Sequence, residues 1–285
     1  LMAGIVLTEF PRFPSFFRLR REEEPIEEDN LKNNVQEPLN EVDLHIHVNN
    51  GDLSAEDIVR IAKKEGLKAI AIVDHRSIKN ILPAIEAGEK FNMEIIPGLE
   101  IRLKKEQEEK DLLVYFPNVD MFLERETDLF LSIPLENSFI EEVVVWAHSY
   151  GGVVIYAHPG ELGEDISKEN LFDVLRLGVD GLEVDHSLFR SLKRDYLLSI
   201  IKQWNQTHSE ISQQKIFTVG SDYRAKNYKN HDRKIGIGWS GRRNNPNARR
   251  WTYDEVILPL KEQARFYYKQ CFDHFYQPGS SSISP

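Results

Sequence analysis

Asp43-Leu44-His45-Ile46-His47, with Asp52 five residues further on, is the stretch whose reading decides the fold. Val42 to His47 is apolar and β-branched enough to form a buried strand. Side chains alternate along a strand with period 2, so His45 and His47 point to one side. Two imidazoles on one side of a strand end are half of a metal site. Imidazole suits Zn, Mn, Fe or Ni, and a nearby carboxylate favours harder ions. Alone, such a pair also fits two ordinary polar residues on a strand, and the rest of the chain must distinguish the two readings.

The same layout recurs along the sequence. Ala69 to Val73 leads to Asp74-His75, Ile95 to Leu99 to Glu100, Val153 to Ala157 to His158-Pro159, and Ile216 to Val219 to Gly220-Ser221-Asp222. Each is a short strand pattern with His, Asp or Glu at its carboxyl end, and helical patterns lie between them. That is the plan of a parallel β/α barrel, where reactive side chains gather on the C-terminal rim. Helices are predicted from Ser54, boxed by Asp57, over Lys79 to Phe91, from Ser138, boxed by Glu141, over Ser187 to Thr207, and over Tyr253 to Phe275. Residues 1–40, with four prolines and an acidic run, read as a poorly ordered arm; 41–276 as the barrel with its C-terminal helix; 277–285 as a flexible tail.

Taken in order, Asp43-Leu44-His45-Ile46-His47 with Asp52, Val73-Asp74-His75, Pro97-Gly98-Leu99-Glu100, Ala157-His158-Pro159 and Gly220-Ser221-Asp222-Tyr223 resemble the motifs of the PHP (polymerase and histidinol phosphatase) superfamily. The resemblance implies an α/β fold, a distorted seven-stranded β/α barrel with a metal site at its C-terminal rim, and metal-dependent phosphoester hydrolysis. It implies that His45, His47, Glu100 and Asp222 hold a first metal, that Glu100 bridges to a second also held by His158, and that Asp52 and His75 belong to a third. Asp111 stands where the resemblance places a second-metal histidine, and aspartate is a competent, harder ligand. Arg224 stands where a third-metal histidine belongs, and a guanidinium has no lone pair to offer a cation. Two divalent ions per chain, Mn, Fe or Zn, are therefore expected.

The chemistry that follows is attack on phosphorus by a metal-bridging hydroxide, with Glu100 fixing the metal spacing and Asp222 in the same set. His186, after the strand pattern Gly181 to Asp185, is a candidate for protonating the leaving group. Arg76, Arg102 and Arg224 each lie within two residues of an expected ligand and suit recognition of a substrate oxyanion. The substrate class expected is a small phosphorylated metabolite, a nucleotide or a nucleotide end. Two other readings are a binuclear amidohydrolase-like enzyme and a non-catalytic binding domain in which arginine imitates a lost cation.

Composition narrows the classes. The chain has 285 residues, one barrel's worth, and a net charge of −10, which argues against bulk nucleic-acid binding. Bound cations still permit phosphate recognition in one pocket. No apolar run approaches the roughly 18 residues that span a bilayer. A single cysteine, Cys271, excludes an internal disulfide, and the expected location is the cytoplasm.

Overall fold

The computed structural model describes residues 40–49, 53–105, 108–186, 191–210, 213–224, 235 and 250–275. The expected arm (apart from Asn40), the expected tail and Asp52 lie outside the described residues.

The first half of the barrel alternates strand and helix: β1 (Val42–His47), α1 (Ala55–Lys64), β2 (Ala69–Ile72), α2 (Ile81–Phe91) and β3 (Glu94–Lys105). Ser54 opens α1 as expected. Its hydroxyl accepts from the Asp57 N–H at 3.1 Å, and the Asp57 carboxylate accepts from the Ser54 N–H at 3.1 Å. Ile58, Val59 and Ala62 then fall on the face that packs onto the sheet. β4 (Glu108–Tyr115) follows β3 directly, and the chain continues through α3 (Val119–Leu131), α4 (Ile140–Ser149), β5 (Val153–Tyr156), α5 (Lys168–Arg176) and β6 (Gly181–Asp185). It closes with α6 (Ser191–Thr207), β7 (Ile216–Val219), β8 (Tyr223–Arg224) and α7 (Tyr253–Phe275).

The strands form one curled, half-barrel sheet in the order β7-β6-β5-β4-β3-β2-β1-β8. It has eight strands rather than the expected seven, the short Tyr223–Arg224 pairing beside β1 being one of them. Nor is it wholly parallel: β4 runs antiparallel to both β3 and β5. The cause is connection length, since only residues 106 and 107 separate β3 from β4. A parallel crossover needs about a dozen residues or more, so this link permits only a hairpin. Helix α4 starts at Ile140, because Glu142 rather than Glu141 reaches back to cap it, accepting from the Phe139 N–H at 2.8 Å. Helices α3 and α5 were not anticipated; their caps are Asn118 and Ser167.

Strands β1, β2, β5 and β6 are buried along their length, as apolar runs covered on both faces must be, while the β3–β4 hairpin exposes Lys104 and Glu109. Tyr115, wholly buried, donates its hydroxyl to the Leu44 carbonyl at 2.8 Å, tying the hairpin to β1 across the interior. Beside α7, Trp251 donates its indole N–H to Asp185 at 2.6 Å, and the Tyr267 hydroxyl in α7 donates to the buried Asp180 that precedes β6. His148, at the end of α4, also pairs with Asp180 at 2.9 Å, in keeping with a structural role. No helix among the described residues is long and apolar enough to cross a membrane.

Candidate metal centre

The rim is assembled by strand parity. His45 and His47 lie two apart on β1 and face the same way. Glu100, Arg102 and Asp111 share one face of the β3–β4 hairpin, since Arg102 pairs directly with Asp111 and Glu100 with Leu113. His158 and Asp222 follow β5 and β7. Both adopt left-handed backbone, with φ of 24° and 47°, a conformation that costs non-glycine residues energy and concentrates at functional sites. Gly220 shows why the Gly-Ser-Asp turn begins as it does: a Cβ there would lie 2.2 Å from the His45 Cβ. The turn is held to β1 by Asp43, whose carboxylate accepts from the N–H groups of Ser221 at 2.9 Å and His45 at 3.2 Å.

Five of the expected residues converge. His45 Nε2 lies 3.6 Å from both Glu100 Oε1 and Asp222 Oδ1. His47 Nε2 lies 3.2 Å from both Glu100 Oε2 and Asp222 Oδ1, and also 3.2 Å from His45 Nε2. His158 Nε2 is 3.2 Å from Glu100 Oε1. All five side chains are buried. His75, more exposed, brings Nδ1 to 3.1 Å from Glu100 Oε2. That oxygen makes no hydrogen bond of proper geometry despite its two close imidazoles, which is how donors look when they aim at a common point rather than at each other. His186 is fully buried, with Nε2 3.7 Å from Asp222 Oδ2 and Nδ1 3.7 Å from Glu161 Oε2.

Two residues of the site were missed in the sequence. Glu183, wholly buried in the middle of β6, places Oε1 3.0 Å from His45 Nδ1, and its Oε2 accepts from the His158 N–H at 2.8 Å. It therefore turns the other His45 nitrogen, Nε2, toward the cluster. Glu161 lies 3.5 Å from His158 Nδ1.

The three arginines differ in placement. Arg224 leans onto the cluster, with NH2 3.1 Å from Asp222 Oδ1 and NH1 3.2 Å from His75 Nε2. Arg102 grips Asp111 through two parallel bonds, Nε to Oδ1 at 2.8 Å and NH2 to Oδ2 at 2.6 Å. Arg76 donates to the Pro134 carbonyl. Asp74 clamps the chain after β1, accepting from the N–H groups of Val48 at 2.7 Å and Asn49 at 2.8 Å and from Asn80 at 2.7 Å.

The electrostatics demand positive charge. Burial opposes protonation of His45, but Glu183 and Glu100 outweigh it and hold the imidazole well above its ordinary pKa. His158 is raised in the same way, its burial outweighed chiefly by the hydrogen bond to Glu100. Burial would raise Glu100, but His45 and His158 bring it well below the usual carboxylate range. Asp222 is lowered too, its burial outweighed by His186 and His47. The donor chemistry fits a divalent ion: His45, His47 and Asp222 form one group with ligand atoms within 4.8 Å of one another, and His45, Glu100 and His158 form another.

Comparison with known proteins agrees with this fold. Residues 43–158 match the family model of the PHP domain, in agreement with the ordered motifs, and the fold is of PHP type. Among curated proteins, the chain is 27% identical over 172 residues to the uncharacterized protein MJ1587 of Methanocaldococcus jannaschii, covering 56% of this chain and 86% of that protein. Among solved structures, it is similar to an inferred metal-dependent phosphoesterase from Bifidobacterium adolescentis, with TM-score 0.55, 22% identity, and coverage of 73% of this chain and 96% of that one. It is also similar to an amidohydrolase from Chromobacterium violaceum, solved with bound sulfate and no metal, with TM-score 0.56, 13% identity, and coverage of 78% and 96%. At these identities the structural likenesses establish the fold.

Proposed function

We propose that this chain is a metal-dependent phosphoesterase acting on a small phosphorylated metabolite or a nucleotide end. The observation that carries the reading is the convergence of His45, His47, Glu100 and Asp222, buried and backed by Glu183. A divalent ion held by these residues supplies a water-derived nucleophile near neutral pH and neutralises charge on the phosphoryl oxygens. Glu183 fixes the His45 ring through Nδ1, leaving Nε2 to serve as ligand. His186 and Glu161 lie beside the cluster, with His186 Nε2 3.7 Å from Asp222 Oδ2. Arg224, at the half-exposed edge, binds a phosphate oxygen of the substrate. No protein nucleophile is required.

The likeness to an amidohydrolase supports a second reading on the same fold, hydrolysis of an amide. The guanidinium at the mouth favours phosphate, because a fixed planar cation matches an oxyanion and not a neutral amide. The test is a panel of sugar phosphates, nucleotides, short oligonucleotides and amides offered to the Mn-loaded chain. Inorganic phosphate or nucleotide release is expected; turnover confined to amides would overturn the assignment.

A further inference from the structure

Donor bookkeeping at the rim points to a departure from the expected pair of ions. His45 has one nitrogen to give, since Nδ1 is taken by Glu183 at 3.0 Å. An ion on His45, His47 and Asp222, with Glu100 beside them, uses that nitrogen. A second ion next to His158 would then have His158 and Glu100, and for a third protein ligand would need Asp111. Zn and non-haem Fe sites take at least three protein ligands as a rule, and two leave such an ion largely to water.

Asp111 already has a charge partner, which reduces what a second cation would gain from it. Both of its oxygens are bound by Arg102, at 2.8 and 2.6 Å, in the paired fork geometry that is the strongest a carboxylate makes with a side chain. The register of the β3–β4 hairpin sets the two directly opposite each other, so the contact is built into the sheet. Asp111 is wholly buried and Arg102 half-buried, so the pair is shielded from water on the carboxylate side. Asp111 Oδ2 is 3.4 Å from His158 Nε2, but among the described residues Asp111 joins none of the groups of three donors within 4.8 Å. The guanidinium also puts a permanent positive charge beside the position a second dication would take.

We propose that Arg102 stands in for a second metal ion between His158, Glu100 and Asp111: it neutralises Asp111, and the divalent ion is held on the His45, His47, Glu100 and Asp222 set with no partner ion at Asp111. This rests on the metal reading above. Arg102 is here a positioning residue, acting through Asp111 and not on substrate.

The test is Mn content by elemental analysis and the Mn(II) electron paramagnetic resonance spectrum of the full chain, titrated with Mn alone. Wild type is expected to bind one ion per chain and to show an uncoupled six-line signal. Arg102→Met leaves a buried carboxylate without its cation and is expected to bind two, with a spin-coupled spectrum. The double variant Arg102→Met, Asp111→Asn is expected to return to one. Asp111→Asn alone, should the Arg102 variant fail to fold, is expected to keep the wild-type count and spectrum. Two coupled ions in wild type, or loss of an ion in Asp111→Asn, would overturn the proposal and leave the phosphoesterase reading standing. No bound Mn in wild type would overturn both.

Discussion

Glu183→Gln is the substitution that probes the centre without removing any of its expected ligands. The change keeps shape and volume, so the packing of β6 is preserved. In the wild type one carboxylate oxygen takes the His45 Nδ1 proton at 3.0 Å and the other takes the His158 backbone N–H at 2.8 Å. A glutamine amide has one acceptor oxygen, and its NH2 group only donates. Either one of the two contacts becomes donor against donor, in a fully buried place where no water relieves it, or His45 moves its proton to Nε2 and loses that nitrogen as a ligand. A hydrogen bond to a charged group contributes about 1.5–3 kcal/mol. At roughly 1.4 kcal/mol per decade this is about a ten- to a hundredfold loss, which is also the range for removing a partner behind a metal-binding histidine. If the His45 contact is the one lost, Mn affinity falls by that factor; if the His158 contact is lost, thermal stability falls by the same energy. Competition titration with a chelating dye and a thermal melt together read both. Wild-type Mn affinity combined with an unchanged melting temperature would refute the role assigned to Glu183.

Further expectations follow from the same geometry. His45→Ala and Asp222→Ala should each abolish phosphate release with the far-ultraviolet circular dichroism unchanged, because both side chains sit on the rim and outside the apolar core; a His45→Ala variant keeping more than about a tenth of turnover would remove the ion from the reaction. Arg224→Ala should lower kcat/KM about ten- to a hundredfold with metal content unchanged, and a kinetically silent variant would show that substrate does not touch it. Mn affinity should rise with pH until it passes the raised pKa values of His45 and His158, by about one decade per pH unit for each proton displaced, since an ion must expel the protons that those imidazoles keep. The metal-free chain should show the opposite trend: groups raised above their unfolded values stabilise it at lower pH, and that part is lost as pH climbs through their folded values. Melting curves of the chelated chain at several pH values check the sign.

Much of the rim was legible because each of its residues ends an apolar run. His47 ends β1, with His45 on the same side by period 2, Glu100 ends the apolar run Ile95 to Leu99 within β3, and His158 and Asp222 follow β5 and β7, so the sequence shows where the barrel edge must lie. Glu183 was not legible in the same way, since it sits inside a strand between Leu182 and Val184. The signal was there, because a carboxylate inside a fully buried run must have a partner, but the sequence does not say which. The Arg102–Asp111 pair depends on hairpin register, which the two residues between β3 and β4 set and no periodicity shows. The same short link made β4 antiparallel where a parallel barrel was expected. Helices α3 and α5 escaped notice because their caps, Asn118 and Ser167, lack the acidic partner three residues on that marks a capping box.

The central claim is that phosphoester hydrolysis depends on an ion held at this rim, and phosphate release before and after reloading tests it most directly. The chain stripped with a chelator and then titrated with Mn should release phosphate from at least one member of the panel only as the ion binds, in proportion to bound Mn. Equal turnover by the stripped and loaded chains, or no phosphate from any member at full loading, would contradict it.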